Sequence, residues 1–219
     1  MPLYIVATPI GNMDDFSFRG VQILKEIDHI LCENPNHSLR LLSHYDIRKP
    51  LSPFHDFNKD GVTPGLIKKL LTGMKIALIT DAGTPGISDP AFYLVRAAIQ
   101  AGVPVTSIPG PSAFVSALVA SGLATDRFCF EGFLPSKKGR KKRLEKLKEE
   151  ERTIIFYEAP HRIERTLREI ANSLGDRRVV IGRELTKIHE EFIRGKISEI
   201  SGNFNYKGEM VIIVEGFKA

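Results

Sequence analysis

Tryptophan is absent from this sequence, and cysteine and glutamine occur only twice each. The two cysteines, Cys32 and Cys129, lie far apart in apolar surroundings and form no CxxC, so both are expected to be buried, reduced thiols of a cytoplasmic protein. Few glutamines (Gln22 and Gln100) among many charged residues fit the composition of heat-tolerant proteins. No apolar stretch approaches the roughly 20 residues that cross a bilayer. The opening MPLYIVATPIG lacks the basic residues of a secretion signal, and its short apolar run reads as a strand. Neither GxxxxGK[ST] nor GxGxxG occurs, which disfavours ATP, GTP and NAD. His37, His44, His55 and His161 have no close ligand pattern and His189-Glu190-Glu191 is not HExxH, so no metal is expected. Gly110-Pro111-Ser112 departs from GxSxG, and Ser112 reads as a helix cap rather than a nucleophile.

What is present describes a foldable chain. Its 219 residues, 42% hydrophobic and 26% charged, suffice for one large or two small domains with a normal core. The net charge of +5 is uneven: residues 136–148, SKKGRKKRLEKLK, carry eight Lys or Arg and one Glu, a net of +7, which leaves −2 for the remainder. Basicity confined to one segment points to a polyanion touching one place. The competing reading is a solvated helix face paired with the EEER that follows.

Hydrophobic periodicity alternates along the chain. Strands are expected at 3–7, 30–32, 75–79 and 105–108. Helices are expected at 16–27 with Ser17 as cap, at 38–45, at 63–71 with Thr63 as cap and Pro64 in the first turn, at 91–101 and at 112–121. Repeated strand–helix units imply a mostly parallel sheet covered on both faces. The second half reads differently, with strands at 128–133, 153–157, 179–183, 191–194 and 209–215, a basic helix between the first two, and a helix at 161–174 closed by Gly175. This spacing suggests a second α/β domain with a mixed sheet. The join is expected near the Gly122 break, giving domains of 1–117 and 118–219.

Three Gly/Pro-rich loops each follow a first-half strand: ATPIGN at 7–12, TDAGTPGISDP at 80–90, and PGPS at 109–112. Loops leaving the carboxyl ends of parallel strands gather on one edge, where ligands bind. Glycine admits close backbone approach and proline stiffens it, so a rigid cleft for a small polar molecule is expected. Asp89 and Pro90 read as the start of the following helix. The second half has dense charged stretches of its own at strand ends: YEAPHR at 157–162, RELTKIHEE at 183–191 and KGE at 207–209.

In order along the chain, ATPIGN, LITDAGTPGISDP, IPGPSA, FEGFLP, IIFYEAPHR, RELTKIHEE and KGEMVI resemble the ribosomal RNA small subunit methyltransferase I family, a branch of the tetrapyrrole methylase superfamily. The resemblance covers nearly the whole chain. It implies two α/β domains of the tetrapyrrole methylase type with the cofactor in the cleft between them. It further implies a homodimer that uses S-adenosylmethionine to methylate a cytidine ribose 2′-hydroxyl in the decoding region of small-subunit (16S) ribosomal RNA. Carried onto this sequence, it assigns Asp81, Ala82, Gly83, Ile87 and Ser88 to the cofactor, with Ser112 and Ala113 beside it and Pro9 at the methyl end. Tyr157, Glu158, Leu185, Gly208 and Glu209 approach it from the second domain. The sequence departs from the family where Glu33-Asn-Pro-Asn-His-Ser38 replaces the usual Glu-Asp-Thr-Arg-His-Thr. Many relatives also continue further past the KGE strand, so part of their RNA grip is expected either to be missing here or to fall on the basic helix.

A ribose hydroxyl is a poor nucleophile, so a base or a charge facing the developing alkoxide should help, by about 10²–10⁴-fold. Lys187, Glu184 and Glu158 are the leading candidates, with Asp81 and His161 behind them; burial near Arg183 is expected to lower the Lys187 pKa. Lys137, Lys138, Arg140, Lys141, Lys142 and Arg143 are the candidate contacts to ribosomal RNA phosphates. Two rivals stay open: a small-molecule methylase acting on a tetrapyrrole-like ring, and a non-catalytic RNA-binding or ribosome-assembly protein on the same fold.

Overall fold

A computed structural model describes residues 2–203, 205 and 207–218. The chain divides into two compact units, residues 1–112 and 113–219.

The first unit is a five-stranded, all-parallel sheet in the order β3-β2-β4-β1-β5, formed by β1 (Leu3–Val6), β2 (His29–Cys32), β3 (Leu51–Pro53), β4 (Ile76–Leu78) and β5 (Val105–Ile108). Helices α1 (Phe18–Glu26), α2 (Pro35–His44), α3 (Lys59–Leu71) and α4 (Ala91–Gln100) connect the strands. Two apolar clusters cover its faces. One joins Leu3, Ile5, Leu78 and Phe54 to Leu66, Leu70 and Leu94; the other joins Val6, Ile30 and Ala77 to Leu24 and Leu42. Burial on both faces accounts for strands that are short, continuous apolar runs. Ser17 caps α1 as expected, accepting from Gly20 N. Helix α3 begins four residues before the predicted start. A turn in which Asn58 accepts from His55 N and donates to the Pro53 carbonyl opens it, Thr63 sits inside it with its hydroxyl donating to the Lys59 carbonyl, and Pro64 is internal. The three-residue β3, ending in Pro53, was not foreseen.

The second unit contains α5 (Ala113–Ser121), β6 (Phe128–Phe133), α6 (Arg140–Lys146), β7 (Thr153–Glu158), α7 (Ile163–Leu174), β8 (Arg178–Arg183), β9 (Glu191–Lys196), α8 (Ile197–Ile200) and β10 (Met210–Val214). Its sheet is mixed, as expected, in the order β6-β7-β10-β8-β9, with only β6–β7 parallel. One face packs Leu144, Leu147, Leu167, Ile170 and Ile200 against Ile154, Phe156 and Ile212. The other receives α5, whose Ala117 fits against Gly182 of β8; a Cβ added there would come within 3.4 Å of the Ala117 Cβ. Helix α5 therefore belongs wholly to the second unit, and the join falls at 112/113. The expected boundary at 117/118 would cut through that helix.

Candidate functional site

The three Gly/Pro loops of the first unit are stitched into one edge. Thr8, at the end of β1, exchanges backbone hydrogen bonds with Gly83 (2.9 and 3.1 Å), and its hydroxyl donates to the Thr80 carbonyl at 3.0 Å. The Thr84 hydroxyl donates to the Pro111 carbonyl at 3.0 Å, tying in the third loop. Gly110 lies so close to β1 that an added Cβ would stand 3.0 Å from the Ala7 Cβ, a contact tighter than side chains ordinarily make, so glycine eases the approach. Asp89 folds the loop's end back: its oxygens accept from Gly86 N at 2.9 Å and from Ala91 N, opening α4, at 2.8 Å. Burial raises the Asp89 pKa, against the lowering effect of those hydrogen bonds and with a smaller push from Asp56. Asp89 was expected to cap the next helix with Pro90 at its first position; α4 instead starts at Ala91 with Pro90 at the cap position, and Asp89, one residue further out, accepts from Ala91 N.

Of the expected cofactor contacts in this unit, Ala82, Ile87 and Ser88 are exposed, Pro9, Asp81 and Ser112 are half-buried, and Gly83 is buried beneath the loop. Ser88 holds φ of 65°, a left-handed conformation that costs a side-chain-bearing residue on the order of 1 kcal/mol. The edge has a carboxylate, Asp81, beside small side chains and turned backbone. A carboxylate so placed can accept hydrogen bonds from hydroxyl and ammonium groups. Asp81 Oδ1 also accepts from Asn34 N at 3.2 Å. Asn34 in turn caps α2, accepting from Asn36 N and His37 N, with Pro35 at the first helical position. The residues that depart from the family pattern thus serve the local fold. Neighbouring Glu33 has its pKa raised by burial first and then by the charges of Asp81 and Asp89.

The second unit places its charged stretches in two clusters. In the first, Glu158 is buried at the end of β7 (2% exposed) and paired with Arg162 at 3.1 Å and Arg140 at 3.4 Å; it also accepts from Ala159 N at 2.9 Å and the Thr166 hydroxyl at 2.6 Å. Arg140 reaches Thr166, Glu169 and the Pro135 carbonyl as well, and Arg162 donates to the Leu134 carbonyl at 2.6 Å. Two expectations change here. Glu158 is fully engaged in a buried ion-pair network and has no free oxygen for proton transfer. Arg140 is 3% exposed and turned inward, so it is not a phosphate contact. Its spacing with Leu144 and Leu147 on one helix face was the signal for this. Thr166 and Glu169 complete the network and were not anticipated.

In the second cluster, the Lys187 ammonium lies 3.0 Å from Glu184 Oε1 and 2.9 Å from Glu209 Oε2. Glu184 Oε1 also accepts from Glu209 N at 2.9 Å. Burial alone lowers the Lys187 pKa, but hydrogen bonds to Glu209 and Glu184 and their charges outweigh it, and the net shift is upward. The expected depression does not occur: Arg183 is occupied by Glu191 at 3.0 Å and by the Lys207 carbonyl. For Glu184, burial raises the pKa, but the Glu209 amide and Lys187 overcome it and the net shift is downward. The pair is an ammonium and a carboxylate, each held in its charged form. Glu184 (φ 48°) and Thr186 (φ 66°) are left-handed, and strain of this kind gathers at functional sites. Leu185 is buried, its side chain against Gly182. Gly208 is half-buried, Glu209 exposed, and Tyr157 and Ala113 half-buried.

Lys137, Lys138, Lys141 and Lys142 are exposed. Arg143 pairs with Glu131 of β6, and Lys141 lies 3.8 Å from Glu145.

The family model described as Tetrapyrrole (Corrin/Porphyrin) Methylases matches residues 2–201, and that match sets the class of these two α/β units. Relatives resolve the branch. A Pasteurella multocida protein named Ribosomal RNA small subunit methyltransferase I is 51% identical over 98% of this chain and 79% of its own length. Proteins of the same name from Thermotoga maritima and Bacillus subtilis are 44% and 46% identical over 98% of this chain, covering 98% and 75% of their own lengths. The chain therefore belongs to the ribosomal RNA small subunit methyltransferase I family, within the tetrapyrrole methylases.

Proposed function

We propose that this protein transfers a methyl group from S-adenosylmethionine to the 2′-hydroxyl of a cytidine ribose in the decoding region of small-subunit ribosomal RNA, acting in the cytoplasm as a homodimer. The observation that carries the reading is 51% identity, over 98% of the chain, to a protein named for ribosomal RNA small subunit methylation. S-adenosylmethionine supplies a methyl group already activated on a sulfonium, so the chain's task is to hold and align. Pro9, Asp81, Ala82, Gly83, Ile87, Ser88 and Ser112 form the proposed cofactor edge of the first unit. Asp81 takes the ribose or ammonium group there, and the stitched loops keep the edge rigid. Ala113, Tyr157, Leu185, Gly208 and Glu209 are the proposed contacts of the second unit. Alignment of this kind supplies up to about 7–11 kcal/mol of barrier lowering.

Lys187 and Glu184 act through charge in this proposal. An ammonium kept protonated by two carboxylates is a poor base, but it stabilises negative charge developing on the ribose oxygen. Lys137, Lys138, Lys141, Lys142 and Arg143 contact RNA phosphates. Incubation with labelled S-adenosylmethionine and, separately, small ribosomal subunits, free ribosomal RNA or a tetrapyrrole tests the reading. Label is expected at a cytidine 2′-oxygen of the RNA. Label in the tetrapyrrole, or in none of the three, refutes it. Within that assay Lys187→Met should slow single turnover at every pH, with no new ionisation appearing in the pH–rate profile.

A further inference from the structure

Strand β6 carries three phenylalanines, Phe128, Phe130 and Phe133, that the proposed chemistry does not use. Strand residues alternate between faces, so Phe128 and Phe130 share one face and Phe133, three residues on, should point to the other. A β-bulge between Phe130 and Gly132 reverses this. The register runs Phe128↔Thr153, Phe130↔Ile155 and Phe133↔Tyr157, which puts all three rings on one face, with Gly132 at φ 60°. The rings form a continuous series. Phe114 of α5 stacks on Phe130 at 4.7 Å, Phe130 meets Tyr157 edge-on at 5.0 Å, and Tyr157 meets Phe133 at 5.4 Å. The row lies on the edge strand of its sheet, and its ends stay open, with Phe128 39% and Phe133 54% exposed. The bulge is what turns Phe133 onto this face, where its ring is 54% exposed and touches Tyr157.

The chain leaves this row directly into its basic segment. Lys137 and Lys138 follow Phe133 by four and five residues, and with Lys142 they make no ion pair among the described residues. Stacking rings beside unpaired lysines is the composition that holds single-stranded nucleic acid: bases stack on the rings while the backbone phosphates meet the cations. Duplex RNA has no bases free to stack.

We propose that Phe128 and Phe133, at the open ends of this row, stack unpaired bases of a single-stranded RNA segment whose phosphates lie against Lys137 and Lys138. The proposal rests on the RNA-methyltransferase reading and adds the RNA's form: an unpaired loop rather than a helix.

The test measures binding of an unstructured, dye-labelled RNA of about 12 nucleotides, within the range of known single-strand sites, and of the same sequence closed into a duplex. Phe133→Ala and Phe128→Ala are each expected to weaken single-strand binding about tenfold, to leave the weaker duplex binding unchanged, and to keep the wild-type salt dependence. Phe133→Tyr should restore affinity. Unchanged single-strand affinity in both alanine variants, despite intact thermal unfolding, overturns the proposal. So does an equal loss on duplex, and so does a dimer seen by sedimentation for wild type but not for Phe133→Ala, which would make the row a contact between copies. Because binding is read without the methyl donor, failure of wild type to methylate RNA would sink the function while leaving this test readable.

Discussion

Gly208→Ala isolates the geometry of the Lys187 cluster. Gly208 holds φ of +93°, and a Cβ there would stand 2.5–2.7 Å from Glu184 Cγ, Cδ and Oε1. The left-handed backbone alone costs an alanine about 1–2 kcal/mol. Glu184 can swing away, but only by giving up its hydrogen bonds with Glu209 N and Lys187, at about 1 kcal/mol each. The expected loss is therefore about 3–4 kcal/mol in urea denaturation, with a large drop in single-turnover methyl transfer as Lys187 loses one of its two anchors. Gly139→Ala supplies the control: φ is +89°, in the same unit, with nothing within 4 Å of the added carbon, so only the backbone cost of about 1–2 kcal/mol applies. Placing Gly208→Ala in a Glu184→Ala background should reduce its cost to that of Gly139→Ala, because the clash and the bonds vanish together. Equal losses for the two glycine variants, or full additivity in the cycle, would refute the reasoning.

Arg140→Met should destabilise the second unit by about 3–5 kcal/mol, because it leaves Glu158 and Glu169 short of a buried cation. Lys137→Ala should change stability by less than about 0.5 kcal/mol; similar values by denaturation would show that Arg140 is not structural. Replacing Lys137, Lys138 and Lys142 together with Ala should reduce the salt slope of single-strand RNA binding by about 2, at about 0.7 per phosphate contact, and an unchanged slope removes the segment from the interface. Burial, with Glu150 and Glu131 behind it, raises the Cys129 pKa from 9.0 to about 11. With the folded value above the unfolded one, this thiol's contribution to stability is present below pH 9.0 and lost as pH rises through about 11. Cys129 is half-buried rather than buried as expected, and iodoacetamide at pH 7.5 should alkylate it slowly in the native protein and quickly in denaturant; fast native labelling would contradict the raised pKa.

The sequence signalled elements wherever burial follows a simple period. Strands such as Val105–Ile108 and Phe128–Phe133 match their predicted ends, because a parallel or mixed sheet buried on a face demands a continuous or alternating apolar run. Helix α3 was misread because Thr63-Pro64 has the form of a helix start, while the real start is fixed by turn bonds from Asn58 to residues outside the helix. Arg140 was misread because the six basic residues of 137–143 look alike by charge. What separates it is the apolar stripe it shares with Leu144 and Leu147, and carboxylates that arrive from β7 and α7, 18 and 29 residues away. The Lys187 pKa failed for a related reason. Sequence proximity made Arg183 its neighbour, whereas β10 brings Glu209 to it from 22 residues on. The bulge in β6 had no signal short of its partner strand.

The TDAGTPGISDP loop can now be divided by load. Its ends are committed to the fold: Gly83 and Thr84 lock it to Thr8 and Pro111, and Asp89 ties Gly86 to the start of α4. Gly83 lies beneath the surface with its N–H and its carbonyl both bonded to Thr8, so its part in the edge is to hold the loop in place. What remains outward is Ala82 and residues 86–88, with Asp81 half-open beside them. The Gly86 and Ile87 amides already donate to Asp89 and the Thr84 carbonyl, so the locked backbone presents the Asp81 carboxylate with little conformational entropy left to lose, which favours binding of a polar ligand with modest contact area. Loosening the locks should therefore weaken cofactor binding without touching a contact. Thr84→Val removes only the hydroxyl bond to Pro111, and calorimetry should show a weaker S-adenosylmethionine affinity with a more unfavourable binding entropy. An unchanged affinity would mean that the loop is held by its glycines and prolines alone.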